Sequence, residues 1–343
     1  MPSPGPAPTD SPGDSLTETK GDGTDSPGDS PAAPPGDPVW EAAAVAVAAW
    51  RAQGRRLPAP LGPDGTVVEV WWADLPPVGP ARGEACLLLH GFPTCSYDWH
   101  HTVAALRNAG WRVVCLDFPG FGSSAKPDRR YGIGLYADAA EAVARAAGLD
   151  EVALLTHDLG DSVGGELCAR DLEGRLGFGV SRRVLTNGSI YMDLVQLTPG
   201  QQMLLDLPDA RLDPAALGLE MADAFRSGVA ATCAPDHRPG DVELAAAWLL
   251  AAAEDGHTLL TRTIRYIEDR RTDEHRYTGA IEAHPSPLGV IWGDVDPVAR
   301  YPMARRLCDR RPDARLVTLT GIGHYPMLEA PESFATATVD LLG

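Results

Sequence analysis

One carboxylate stands where a strand pattern gives way to a helical one: Asp158, in Thr156-His157-Asp158-Leu159-Gly160, directly after the apolar run Val152–Leu155. A strand that turns sharply into a helix exposes the central side chain of the turn at the helix N-terminus, and small flanking residues let the backbone bend. The helix dipole there favours negative charge, so Asp158 is placed to stay ionised and act as a nucleophile. The overlapping Gly160-Asp161-Ser162-Val163-Gly164 also fits G-x-S-x-G. Ser162, however, falls inside the first turns of the helix and not in the turn after the strand, which makes it the weaker candidate. Gly164 and Gly165 are read instead as positions where that helix packs closely on the sheet.

A nucleophile of this kind needs an acid and a histidine later in the chain. After Leu288–Ile291 comes Trp292-Gly293-Asp294-Val295-Asp296-Pro297, in which Asp296 is the better partner for a histidine and Asp294 a solvated turn residue. After Ala314–Leu319 comes Gly321-Ile322-Gly323-His324-Tyr325-Pro326, and of the nine histidines only His324 stands so soon after a late strand pattern. Earlier, Ala85–Leu89 leads into His90-Gly91-Phe92-Pro93. The Phe92 N–H is placed there to face a developing oxyanion, with the Leu159 N–H as the second donor; His90 is equally suited to pin the turn. An ionised Asp158 needs no base to activate it. His324, oriented by Asp296, is then free to activate water against a covalent ester, a scheme that suits an sp³ carbon carrying a leaving group.

The elements that must position these residues follow from periodicity. Val67–Trp72, Ala85–Leu89, Arg112–Leu116, Val152–Leu155, Val184–Thr186, Leu288–Ile291 and Ala314–Leu319 read as strands. They alternate with helical patterns at His100–Ala109, Leu135–Ala147, Ser162–Arg170, Val298–Cys308 and Pro331–Leu341. Apolar strands alternating with helices predict an α/β fold with a mostly parallel twisted sheet and helices on both faces. Ligands of such sheets bind beyond the carboxyl ends of the strands, where the residues above fall. An alanine-rich helix with Trp40 and Trp50 precedes the sheet and runs into the basic segment Arg51–Arg56. Between Ile190 and Ala283 only helical patterns appear, which predicts a helical cap over 190–283, set between core segments 38–189 and 284–343.

A formal net charge of −18 opposes nucleic-acid and anionic-membrane binding, both of which need a positive face. Met1–Asp37, rich in Pro, Gly, Ser and Asp with seven acidic residues against Lys20, reads as a disordered acidic tail. No basic region followed by an apolar stretch marks a signal peptide, and no run is long enough to span a membrane, so a cytoplasmic location is expected. The six cysteines show neither zinc nor disulfide spacing and read as reduced core residues, Cys95 lying in a loop near the candidate site. No cofactor or metal is expected.

Taken together, His90-Gly91-Phe92-Pro93, Asp117-Phe118-Pro119-Gly120-Phe121-Gly122-Ser123-Ser124, His157-Asp158-Leu159-Gly160 and Gly323-His324 resemble the epoxide hydrolase and haloalkane dehalogenase branch of the α/β-hydrolases over roughly Val67–Leu342. Leu88–Trp99 and Gly293–Val298 are most similar to the mesoderm-specific transcript hydrolases. The resemblance implies the α/β-hydrolase fold with a helical cap insertion and a small, largely apolar organic substrate. Dehalogenases of the branch hold halide with side chains at the positions of Leu159 and Phe92, neither of which offers a side-chain donor here. Epoxide hydrolases protonate the opening oxygen with cap tyrosines, and Arg265-Tyr266-Ile267-Glu268-Asp269-Arg270 resembles the segment that carries one of them, which makes Tyr266 a candidate acid. Leu194–Leu207 supplies no second tyrosine, so Tyr191 is the remaining candidate if the chain turns back over Asp158. Epoxide-hydrolase chemistry is thus the leading expectation. Dehalogenase or another α/β-hydrolase activity, and a non-catalytic binding protein on the same fold, are its rivals.

Overall fold

The computed structural model describes residues 36–218 and 220–343; the expected tail lies outside the described residues except for Gly36 and Asp37. The strands are β1 (Gly54–Leu61), β2 (Thr66–Leu75), β3 (Ala85–Leu89), β4 (Arg112–Leu116), β5 (Glu151–His157), β6 (Gly179–Thr186), β7 (Leu288–Gly293) and β8 (Arg315–Leu319). They form one sheet in the order β1-β2-β4-β3-β5-β6-β7-β8. The pairs β1/β2 and β2/β4 are antiparallel and all others parallel. Every residue of β3 and β7 is buried, as strands covered on both faces require.

Helices α1 (Pro38–Arg51), α2 (His100–Asn108), α3 (Ile133–Ala146) and α4 (Leu159–Leu172) precede the long connection from β6 to β7. That connection carries α5 (Pro199–Asp206), α6 (Pro214–Leu217), α7 (Met221–Ala230), α8 (Asp241–Ala252), α9 (Leu260–Thr263), α10 (Tyr266–Thr272) and α11 (Glu274–Ala283). It contains no strand among the described residues. Helices α12 (Pro302–Arg310), α13 (Pro326–Glu329) and α14 (Pro331–Leu342) complete the chain. Helix α2 packs on α14, α3 on α4, and α8 on α1.

Two features depart from the sequence reading. β1 was not expected, because Pro58 and Pro60 interrupt its apolar character; it lies at the sheet edge, where two prolines one residue apart turn their missing N–H groups to the same unpaired side. The two glycines of α4 also divide their work. A Cβ on Gly164 would stand 3.2 Å from Thr156 Cγ2 on β5, so this glycine does serve packing on the sheet. A Cβ on Gly165 would instead stand 2.7 Å from the Tyr277 carbonyl, so it admits α11, which lies against α4.

Gly160 is the tightest of these contacts, since its Cβ would fall 2.3 Å from the Leu89 carbonyl oxygen at the end of β3. Gly160→Ala must push the start of α4 away from β3 and is expected to lower stability by about 1–3 kcal/mol. Urea unfolding measures this, and an unchanged midpoint would contradict the packing described.

Candidate active site

Asp158 follows the last residue of β5 and is the N-cap of α4, with φ 49° and ψ −110°. A positive φ is costly for a residue with a Cβ and persists only where the surroundings fix it. The surroundings are Gly160 against β3 and Gly91, whose Cβ would stand 2.9 Å from Asp158 Cβ and 2.8 Å from His157 Nδ1. The Asp158 side chain is buried, and its Oδ2 accepts from the Phe92 N–H at 3.0 Å. One carboxylate oxygen is thus held by a backbone donor. The Leu159 N–H, first in α4, has no intrahelical acceptor, as at any helix start.

The turn that presents Phe92 is fixed from behind. His90 Nε2 accepts from the Phe118 N–H at 2.9 Å, so its Nδ1–H donates to the Gly91 carbonyl at 2.8 Å. Burial pushes this imidazole down to about 4, which keeps it neutral in that tautomer. His90 therefore pins the turn, while the Phe92 N–H faces the carboxylate.

His324 and Asp296 meet as expected: His324 Nδ1 donates to Asp296 Oδ2 at 2.8 Å, and both side chains are buried. Asp296 Oδ2 also accepts from Asn187 Nδ2 at 2.7 Å, and Oδ1 accepts from the N–H groups of Val298 at 2.7 Å and Ala299 at 3.1 Å. With Nδ1–H committed to Asp296, the imidazole keeps Nε2 as its working nitrogen. Burial opposes charge on His324, but Asp296, Asp158 and Glu329 outweigh it and raise the imidazole to about 9. Asp294, by contrast, accepts from the Gly321 N–H at 2.7 Å and holds the turn together.

Four residues given no role in the sequence reading hold this arrangement. Asn187, at φ 49° just beyond β6, joins Asp296 to the Gly293 N–H, which its Oδ1 accepts at 3.1 Å. Glu329 accepts from the N–H groups on both sides of His324, Gly323 and Tyr325, each at 2.8 Å. His157 Nε2–H donates to the His324 carbonyl at 2.8 Å. Tyr325 donates its hydroxyl to the Phe92 carbonyl at 3.2 Å, tying the histidine loop to the turn at His90–Pro93. Asn187 was open to the same rule that selected Asp158, a polar residue just after a strand. His157 carries no local signal, because its bond is to backbone 167 residues away, and no residue type shows that Glu329 folds back on Gly323 and Tyr325.

The two cap tyrosines part company. Tyr266, at the start of α10, is buried with its ring 6.0 Å from that of Phe92. Burial and the adjacent Asp158 charge push its phenol well up, partly offset by Arg270, whose guanidinium lies 5.1 Å from the ring. Tyr191 is not brought to Asp158: its hydroxyl donates to Glu282 at 2.7 Å and Arg306 covers its ring at 4.8 Å, in a separate cluster with Leu307 and Met303. The Tyr191 hydroxyl is thus engaged by Glu282, and no bond joins it to Asp158. Ser162 is buried in α4 and accepts from Arg270 Nε at 2.8 Å, with no histidine beside it. Cys95 is buried, and burial together with Asp117 and Asp98 pushes its thiol well up, away from thiolate chemistry.

Beside these groups lies a pocket of about 200 Å³ that opens to solvent. Phe92, His324 and Tyr325 line it on the sheet side and Met203, Leu204 and Phe225 on the helical side. Asp158 and Tyr266 adjoin this lining through Phe92, by its N–H and its ring respectively.

A strand-to-helix elbow on a sheet of this order is the architecture of the α/β-hydrolase fold. Residues 86–337 match the model of the alpha/beta hydrolase family, and the chain belongs to that family. It is 37% identical over 298 residues to the putative hydrolase LipZ of Mycobacterium tuberculosis, covering 87% of this chain and 98% of that protein. It is 34% identical over 260 residues to the mesoderm-specific transcript protein of Mus musculus, covering 74% and 77% respectively. Epoxide hydrolase B of Mycobacterium tuberculosis is 37% identical over 93 residues only, 26% of each chain. No helix among the described residues is long and apolar enough to cross a membrane.

The electrostatic description of His324 is open to direct measurement. Its ring proton is expected to titrate near pH 9 by NMR in the resting protein. In Asp296→Asn, where burial is opposed by less negative charge, the midpoint should fall clearly below that. An unchanged midpoint would show that Asp296 does not set the imidazole's charge.

Proposed function

We propose that the protein is a cofactor-independent hydrolase that attacks an electrophilic sp³ carbon with Asp158, forms a covalent alkyl-enzyme ester and hydrolyses it, with epoxides as the substrate class. The observation that carries this reading is the Phe92 N–H bond to Asp158 Oδ2, which leaves Oδ1 as the attacking atom. Attack by Oδ1 opens the C–O bond, and the departing alkoxide takes the Tyr266 phenolic proton. Oδ2 becomes the ester carbonyl oxygen, already beside its hydrogen-bond donor.

Esterification removes the Asp158 charge, one of the charges that hold His324 near 9. The imidazolium then gives up its proton, which restores the Tyr266 phenol, and the neutral imidazole is a base only when there is an ester to hydrolyse. His324 Nε2 takes a proton from water, and the resulting hydroxide adds to the ester carbon. The oxyanion on Oδ2 rests on the Phe92 and Leu159 N–H groups. Collapse expels the alkoxide, which takes the proton of the new Asp158 carboxyl group to give a diol and the free carboxylate. His324 keeps the proton taken from water and is again the imidazolium of the resting protein.

The apolar cavity walls favour a largely hydrophobic substrate. Halide as leaving group is less well served, since Phe92 and Leu159 offer only backbone donors. The identity with epoxide hydrolase B covers too little of either chain to decide substrate.

His324→Gln keeps the first step and blocks the second, so intact-mass spectrometry with a panel of apolar epoxides should reveal a stable adduct on Asp158. Adding Tyr266→Phe should slow adduct formation on the order of 10²–10⁴-fold. Absence of any adduct across epoxides and haloalkanes would contradict the proposal and favour a binding protein on this fold.

A further inference from the structure

Away from the candidate active site, three metal-ligating side chains converge where α2 meets α8. His101 Nε2 lies 3.0 Å from Glu243 Oε1 and His100 Nε2 3.5 Å from the same oxygen. The donor atoms of all three residues lie within 4.8 Å of one another. Ligands about 2.0–2.1 Å from a tetrahedral zinc stand roughly 3.3 Å apart, so these separations match a shared ion.

The hydrogen bonds around the cluster orient the donors inward. His100 Nδ1–H donates to the Tyr97 carbonyl at 2.9 Å, and its ring stacks on that of Tyr97 with centroids 4.5 Å apart. Metal-binding histidines are commonly fixed in this way, by a backbone carbonyl on the other ring nitrogen. In the neutral ring, Nε2 then carries a lone pair aimed at a carboxylate oxygen, an unfavourable contact unless a cation lies between them. Glu243 divides its two oxygens: Oε2 accepts from the Gly240 N–H at 3.0 Å at the start of α8, and Oε1 alone faces the imidazoles. The His101 side chain is 43% exposed, which leaves room for water as a further ligand.

We infer that His100, His101 and Glu243 form a binding site for a divalent first-row transition ion, zinc in the first instance, that fastens α8 of the long helical connection to α2 beside the sheet. Two imidazoles and one carboxylate suit zinc, and copper or nickel by the usual order of affinities. Cysteine spacing could not reveal the site, because Glu243 stands 142 residues from His101. The competing state is a protonated imidazole paired with Glu243. The site does not depend on the reaction proposed above.

Full-length protein stripped with chelator and titrated with zinc by calorimetry separates the two states. The wild type should bind one zinc ion with an affinity that His101→Gln and Glu243→Gln each weaken at least about tenfold. Zinc should also raise the melting temperature of the wild type but not of His101→Gln, which removes a partly exposed ring and spares the fold even if Glu243→Gln does not. Cobalt in place of zinc should give a visible absorption band that the same substitution abolishes. Equal zinc affinity in the wild type and His101→Gln, or no saturable binding at millimolar zinc, would overturn the inference.

Discussion

At the junction of β5 and α4 the backbone of Asp158 sits at φ 49°, a conformation that only close packing can hold. Gly91 and Gly160 make that packing possible: each approaches the elbow or β3 so closely that a Cβ would collide. The outcome is one buried carboxylate whose Oδ2 is bound by the Phe92 N–H. His90 fixes the turn that offers this N–H, through bonds to Phe118 and Gly91. Much of the site's geometry therefore rests on a single strained residue and the small residues around it.

Charge is arranged around the same point. His324 is buried between Asp296 and Asp158 and is raised to about 9 against the effect of burial. Its backbone is gripped by Glu329 on the two flanking N–H groups, by His157 on the carbonyl and by the Thr232 carbonyl on its own N–H. On the proposed mechanism this coupling gives an order to the steps. The carboxylate charge that suits attack also keeps the imidazole protonated, and loss of that charge in the ester releases the base.

The sequence made the sheet legible where strands are apolar and covered on both faces, as at Ala85–Leu89 and Leu288–Ile291. It concealed β1, whose prolines are tolerated only at an edge, and the first five residues of β6, Gly179 to Arg183. There Arg183 is buried and satisfied by Ser286 and the carbonyls of Ile281 and His284, a pairing that no local pattern announces. Asp158, Asp296 and His324 stood out as candidates because each lies within a few residues of the end of a strand. Tyr266 was legible by resemblance, and the structure sets it beside Asp158. Where Tyr191 stands depended on the path of the chain after β6, which local residue types do not determine, and its hydroxyl meets Glu282. Asn187 acts on Asp296, 109 residues away, and Glu329 joins the nearby Gly323 N–H to the Ala234 N–H 95 residues away, so only the folded chain brings these partners together.

The central claim is that the bond to substrate is made by Asp158 itself. A single turnover of an apolar epoxide in heavy-oxygen water, with enzyme in excess, tests it by peptide mass spectrometry. The account predicts that the heavy oxygen enters the peptide containing Asp158, since water attacks the ester carbon, while the diol keeps oxygen from the enzyme. Label found in the diol and absent from that peptide would contradict it.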